Sequence, residues 1–132
     1  MYDTAGQQDY EGLRVFTYAQ SDVIVVCFSA ADRDSFKNVS DFWVREIRSY
    51  VGKDRPIVLV ATQTDLRTND ATCVSHQEGV NLANKIDAKV YVETAANDTA
   101  SVEKLFQEVV LKSIRQKKSR SRFFIKLLKR WT

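Results

Sequence analysis

The chain is poor in the residues that break or staple a fold. One proline (Pro56) and four glycines in 132 residues leave no Pro- or Gly-rich linker, and there is no internal repeat or low-complexity stretch. None of the four glycines stands in a G-x-x-x-x-G-K-[ST] string, so a phosphate-cradling loop of that kind is missing from these residues. Two cysteines do not make a disulfide framework: Cys27 lies in an apolar run and Cys73 in a polar stretch. A single histidine, His76, excludes the paired Cys/His spacing of a zinc site. A reducing, cytoplasmic setting is the expectation. No apolar run approaches the ~20 residues that span a bilayer, and the first residues lack the basic-then-apolar order of a signal peptide.

What the chain has is charge, unevenly spread. Net charge is only +3, from 20 basic and 17 acidic residues. All 17 acidic residues fall before position 109, whereas residues 109–132 hold nine Lys or Arg and no acid. That asymmetry marks a basic tail with a role of its own. At 44% hydrophobic content, 132 residues suit one domain with a modest core.

Apolar patterning predicts alternating strands and helices. Val23-Ile24-Val25-Val26-Cys27-Phe28 and Ile57-Val58-Leu59-Val60-Ala61 are continuous β-branched runs, the pattern of strands buried on both faces of a parallel sheet. Val90-Tyr91-Val92 is a third, shorter one. Between the first two, Phe36, Val39, Trp43, Ile47 and Tyr50 step by 3, 4, 4 and 3, one helical face, with Ser35 as its cap and Gly52 and Pro56 after its end. Ser75 with Glu78 reads as a capping box before a helix carrying Val80, Leu82, Ala83 and Ile86. Ser101 is the expected cap of a last long helix with a Val102, Leu105, Phe106, Val109, Val110 and Ile114 face. Residues 7–20 show no strong period and read as loop or short helix. Strand–helix alternation implies right-handed crossovers onto one mostly parallel sheet with flanking helices, an α/β architecture.

Four strings carry chemistry. Asp3-Thr4-Ala5-Gly6-Gln7 follows a strand stub. Thr62-Gln63-Thr64-Asp65 and Glu93-Thr94-Ala95-Ala96 each follow a predicted strand. Asp9-Tyr10-Glu11-Gly12-Leu13-Arg14, Tyr18-Ala19-Gln20-Ser21-Asp22, Cys27-Phe28-Ser29 and Ser35-Phe36-Lys37-Asn38-Val39 form the fourth set. The first resembles the D-T-A-G-Q motif of small GTPases, the second their guanine-reading motif, the third their E-T-S-A loop. The last set resembles the Rho branch, with its D-Y-D-R-L-R, Y-P-Q-T-D, C-F-S and S-F-E-N-V strings. The T-Q-x-D-L-R form is similar to the atypical Wrch and Chp members. The resemblance covers residues 2 to about 115 and implies a P-loop NTPase fold.

It also implies roles. Asp3 would stand behind Mg²⁺ through water, Gly6 would offer its N–H to the γ-phosphate, and Gln7 would orient the attacking water as the catalytic residue. Thr62, Gln63 and Asp65 would read the base, the Asp65 carboxylate accepting two hydrogens from guanine that adenine cannot supply. The N–H of Ala96 would meet the guanine oxygen. Two departures stand out here: Gln63 replaces the usual lysine and Ala95 the usual serine. The loop from Arg67 to Ser75 is also too short for the extra helix that Rho proteins insert there. The family's opening strand, P-loop, first helix, switch I and second strand have no counterpart in these residues. Because that opening strand normally lies in the sheet's centre, between the strands at 1–3 and 23–29, the edge of 23–29 is expected to be bare.

The implied domain plan is a partial G domain over 1–116 and a basic amphipathic tail over 117–132. The tail contains Lys117-Lys118-Ser119-Arg120-Ser121-Arg122, and a helical projection puts Phe124, Leu127, Leu128 and Trp131 on one face. Such a segment fits an anionic membrane surface; a solvated extension and a nuclear-import or RNA-binding segment are the other readings, nucleic acid being the least expected partner. No cysteine follows Cys73, so no C-a-a-X prenylation box is present. The expected function is a Rho-like GTPase that binds GTP/GDP and Mg²⁺, meets regulators and effectors through residues 7–20, and signals to cytoskeleton and cell polarity at the inner face of the plasma membrane, with GTP hydrolysis impaired in this chain. The competing reading is a non-catalytic module that binds partners or membrane.

Overall fold

A computed structural model of the chain describes residues 2–4, 23–52, 55–95, 97–116 and 123–127. Five strands form one sheet: β1 (Tyr2–Thr4), β2 (Val23–Ser29), β3 (Ile57–Thr62), β4 (Val90–Glu93) and β5 (Phe123–Leu127). The order is β1-β5-β2-β3-β4, and every pairing is parallel. The α/β architecture expected from the strand–helix alternation is therefore present.

β2 and β3 are central because their sequences leave no polar face. All seven residues of β2 are buried, and so are Ile57 to Ala61 of β3. Alternation along the strands sorts these side chains into two cores. Ile24, Val26, Phe28, Leu59 and Ala61 face one side, where Val39, Trp43, Ile47, Leu82, Ala83 and Ile86 pack on them. Val23, Val25, Cys27, Val58 and Val60 face the other, covered in part by Leu105. Each fully buried side chain of this size contributes about 1.5–3 kcal/mol of transfer free energy.

The first core is roofed by a composite helix. α1 (Arg33–Asn38) runs through a π-helical turn (Val39–Trp43) into α2 (Val44–Val51). Its cap is Asp32 rather than Ser35: Asp32 Oδ1 accepts from the Asp34 and Ser35 N–H groups at 3.0 and 3.4 Å. Ser35 is buried instead, its Oγ accepting from Ser29 N–H at 2.9 Å and so tying the helix start to the end of β2. Tyr50, expected on the buried face, is 51% exposed. Trp43, at the end of the wider i→i+5 turn, and Ile47 stay buried, and Val51, one position on, packs on the core in place of Tyr50. Gly52 ends α2 at φ +65°, a conformation that favours glycine.

α3 (His76–Lys85) has the predicted capping box, with Ser75 and Glu78 bonding reciprocally at 3.1 Å each way. α4 (Thr99–Gln116) packs against β4 and β2. Asp98, not Ser101, leads it: its Oδ1 accepts from Ser101 N–H at 3.3 Å. No helix intervenes between the 3₁₀ turn at Thr64–Leu66 and α3, in keeping with the short loop. Cys73, on that loop, is buried, and its Sγ accepts from Thr68 N–H at 3.4 Å. Among the described residues, no helix is long and apolar enough to cross a membrane.

Two expectations fail together. Phe123–Leu127 is a strand, not part of an amphipathic helix, and the edge of β2 is not bare, because β5 fills it. The physical reason is shared. A central strand whose N–H and C=O groups on one side are unpaired is a strong template. Phe-Phe-Ile supplies aromatic and β-branched residues suited to it. Leu128 and Trp131 lie outside the described residues.

Candidate nucleotide-base site

In an all-parallel sheet the C-terminal strand ends share one edge, where ligands of α/β folds bind. Here that edge gathers Thr4, Leu127, Ser29, Thr62 and Glu93. The register pairs Ala61 with Glu93, so the loops leaving β3 and β4 start side by side.

The β3 loop turns at Gln63, which adopts a left-handed conformation (φ 56°, ψ 36°). Ser29 Oγ donates to Gln63 Oε1 at 2.5 Å, joining this loop to the end of β2. Thr62 Oγ1 donates to Phe28 O at 3.2 Å. The next residue clamps the two loops together: Thr64 N–H and Oγ1 both donate to Thr94 O, at 3.2 and 3.1 Å. Asp65 stands in the 3₁₀ turn with its side chain exposed. Across from it Ala95 is buried and donates its N–H to Ser101 Oγ at 3.2 Å. A hydroxyl from α4 thus braces this loop, where the resembling families use a serine at position 95.

Beneath the loops lies an ionic cluster that the motifs did not announce. Arg67 donates through Nη2 to Glu93 Oε2 at 2.7 Å, through Nη1 to Oε1 at 3.2 Å, and through Nε to Val74 O at 2.6 Å. Tyr91 OH donates to Glu93 Oε2 at 2.7 Å, and His76 Nδ1 lies 3.1 Å from the same oxygen. Burial pushes Glu93 up, but the Arg67 and Tyr91 hydrogen bonds outweigh it and hold the carboxyl below its ordinary range. Burial, then the Glu93 carboxylate, raises the Tyr91 hydroxyl, so it stays protonated and donates. Arg67 therefore ties the base loop to the end of β4. The signal was present: opposite charges at the end of β4 (Glu93) and in the loop that follows the neighbouring β3 (Arg67).

The structure thus brings Thr62, Gln63, Asp65 and Ala95 to one edge. Asp3 lies in β1, at the same edge but separated from β3 by β5 and β2. Gly6, Gln7, Ala96 and residues 7–20 lie outside the described residues. Among the described residues no three His, Cys, Asp or Glu side chains gather to hold a metal. What stands at this edge is an exposed carboxylate, a hydrogen-bond acceptor, beside two braced loops.

The model of the Ras family matches residues 1–116. Rho-related GTP-binding protein RhoH of Bos taurus is 36% identical over 129 residues, covering 94% of this chain and 67% of that protein. The chain belongs to the Ras family of small GTPases, in its Rho branch. Rho-related protein racL of Dictyostelium discoideum is 34% identical over 120 residues, covering 83% of this chain and 61% of that protein. Ras-like GTP-binding protein RHO1 of Entamoeba histolytica is 36% identical over 110 residues, 83% of this chain and 51% of that protein. This Rho-branch chain thus spans about half to two thirds of the length of these relatives.

Proposed function

We propose that the chain recognises a guanine nucleotide through its base, with Asp65 as the selecting group and the loop at 94–96 closing on the base oxygen. The observation that carries the reading is the pair of hydrogen bonds that Thr64 donates to Thr94 O, which holds the Asp65 turn against that loop. A carboxylate presented there accepts from two guanine hydrogens, and adenine lacks that pair. Gln63 keeps an alkyl stem beside the base but anchors its amide on Ser29, and it brings no charge. GTP hydrolysis with Mg²⁺ is assigned to Asp3, Gly6 and Gln7, acting together with a phosphate loop that these residues do not contain. Rho-type regulators and effectors are assigned to residues 7–20, and signalling to the cytoskeleton is part of the same proposal.

Asp65→Asn tests the base assignment. One acceptor oxygen becomes a donor aimed at guanine hydrogens, so affinity for guanosine nucleotides falls by about 10-fold or more, each lost charged hydrogen bond being worth roughly 1.5–3 kcal/mol. Asp65 is exposed, so the unfolding midpoint stays put. Equal GDP affinity in the variant removes Asp65 from the site.

A second reading rests on charge. Nine basic residues after position 108, with no acid among them, favour an anionic surface by roughly 1 kcal/mol for each residue that reaches it. Binding to anionic vesicles that weakens as salt rises supports this reading, with the segment at 117–122 as the contact.

A further inference from the structure

One hydroxyl joins the end of β2 to the turn after β3. The register sets Ser29 beside Thr62, so Gln63 is the first residue past the last pair of the two strands. There the chain turns left-handed, at φ 56°, and Gln63 is exposed. Ser29 is 7% exposed, and its polar groups are committed. Its N–H donates to Ser35 Oγ at 2.9 Å, its O accepts from Asp32 N–H at 3.1 Å, and its Oγ accepts from Ala31 N–H at 3.1 Å. A hydroxyl carries one hydrogen to give. Among the described residues the acceptor it finds is Gln63 Oε1, at 2.5 Å. Turning the amide over would set its NH2 against that hydroxyl and leave a buried O–H without an acceptor, which costs stability. The amide oxygen of Gln63 is therefore taken by Ser29. Its NH2, with two donors on the same planar group, is left for another partner.

We infer that Ser29 is a positioning residue of the base site: it holds the Gln63 amide with its NH2 turned to the bound nucleotide, a neutral donor two residues from the Asp65 acceptor. The inference rests on the proposed guanine reading. A glutamine side chain has several rotatable bonds, and ordering it only on binding would cost affinity. Ser29 orders it beforehand and from a rigid support, since β2 is buried along its whole length. The NH2 then meets acceptor atoms of the nucleoside. It does so without a charge, so this contact is not one that salt screens.

A double-mutant cycle of Ser29→Ala and Gln63→Ala in the full chain tests the inference, with GDP affinity read by calorimetric or NMR titration. Each single substitution is expected to weaken GDP binding by about 5-fold, the worth of one neutral hydrogen bond. The double variant should bind no more weakly than Gln63→Ala alone. Ser29→Thr, which keeps the hydroxyl, should stay within about 2-fold of the wild type. A role of Ser29 confined to bracing Ala31 N–H would instead make the two losses multiply, to about 25-fold. Multiplied losses, or unchanged GDP affinity in Ser29→Ala, would overturn the inference. A second readout needs no nucleotide. The heteronuclear 15N NOE of the Gln63 side-chain amide, a measure of fast motion, should fall by about half in Ser29→Ala and hold in Ser29→Thr. An NOE unchanged in Ser29→Ala would also overturn the positioning. Equal GDP and ADP affinity in the wild type would overturn the guanine reading and the role built on it, and the NOE, still falling in Ser29→Ala, would tell that failure from a failure of the positioning.

Discussion

Gly79 stands inside α3, where alanine by propensity alone would add about 1 kcal/mol. A Cβ built there runs into the ring and hydroxyl of Tyr91, which the Glu93 hydrogen bond holds in place. Gly79→Ala is therefore expected to lower stability by about 1–3 kcal/mol, the cost of overpacking, with a matching fall in the urea midpoint. A midpoint that rises would mean that Tyr91 swings aside freely. The same residues mark what single-sequence reading could and could not see. That Thr62, Gln63 and Asp65 would stand at the end of a buried strand and in the turn just past it was readable, because the apolar run of β3 ends there. Tyr91 read only as one residue of an apolar strand; its bond to Glu93 joins two residues on one face of β4, but the approach of its ring to Gly79 of α3 is a packing contact that no local pattern encodes. Ser35 and Ser101 were plausible caps by type, yet the neighbouring Asp32 and Asp98 capped instead and freed both serines to brace other loops.

Between elements, Arg33 does what a linker would do elsewhere. Its guanidinium donates to Ala71 O and Cys73 O at 2.6 Å each and to both Glu78 oxygens at 2.8 and 3.0 Å, so α1, the 71–73 loop and α3 move as one body. The Arg33 hydrogen bonds and the Ser75 N–H hold the Glu78 carboxyl down at about 2, from an ordinary 4.5. A depressed carboxylate stabilises the fold above its unfolded pKa and stops doing so as pH falls through the folded one. The contribution is thus complete above pH 4.5 and lost on the way down to about 2. The pair is partly exposed, with side chains at 30% and 39%, so solvent screening keeps it below roughly 1 kcal/mol. Glu78→Gln should flatten the acid side of the stability profile, its curve meeting the wild type near pH 2, as urea midpoints across that range would show. Parallel curves from neutral pH to pH 2 would remove this link. Strands β2 to β4 and the capping box of α3 were legible because burial on both faces and reciprocal capping leave strong local patterns. The π turn was not, since an i→i+5 step looks in sequence like a helix with one residue misplaced.

At the scale of the molecule, two halves of different legibility meet on one sheet. That the loops after β3 and β4 meet at one edge follows from strand order and motif spacing, and both were in the residues. The closure of the sheet by β5 was not, because a basic segment with apolar residues satisfies a helical projection and a strand alike. What decides is the unpaired side of β2, a property of the assembled sheet. The proposed function has these residues read a guanine base without the amide cradle that dominates phosphate affinity. Calorimetric titration of the 132-residue chain with GDP and with ADP, both with Mg²⁺, tests it most directly. The expected result is GDP binding weaker than about micromolar, with ADP weaker still by at least 10-fold, the preference vanishing in Asp65→Asn. Equal affinity for the two nucleotides would contradict it.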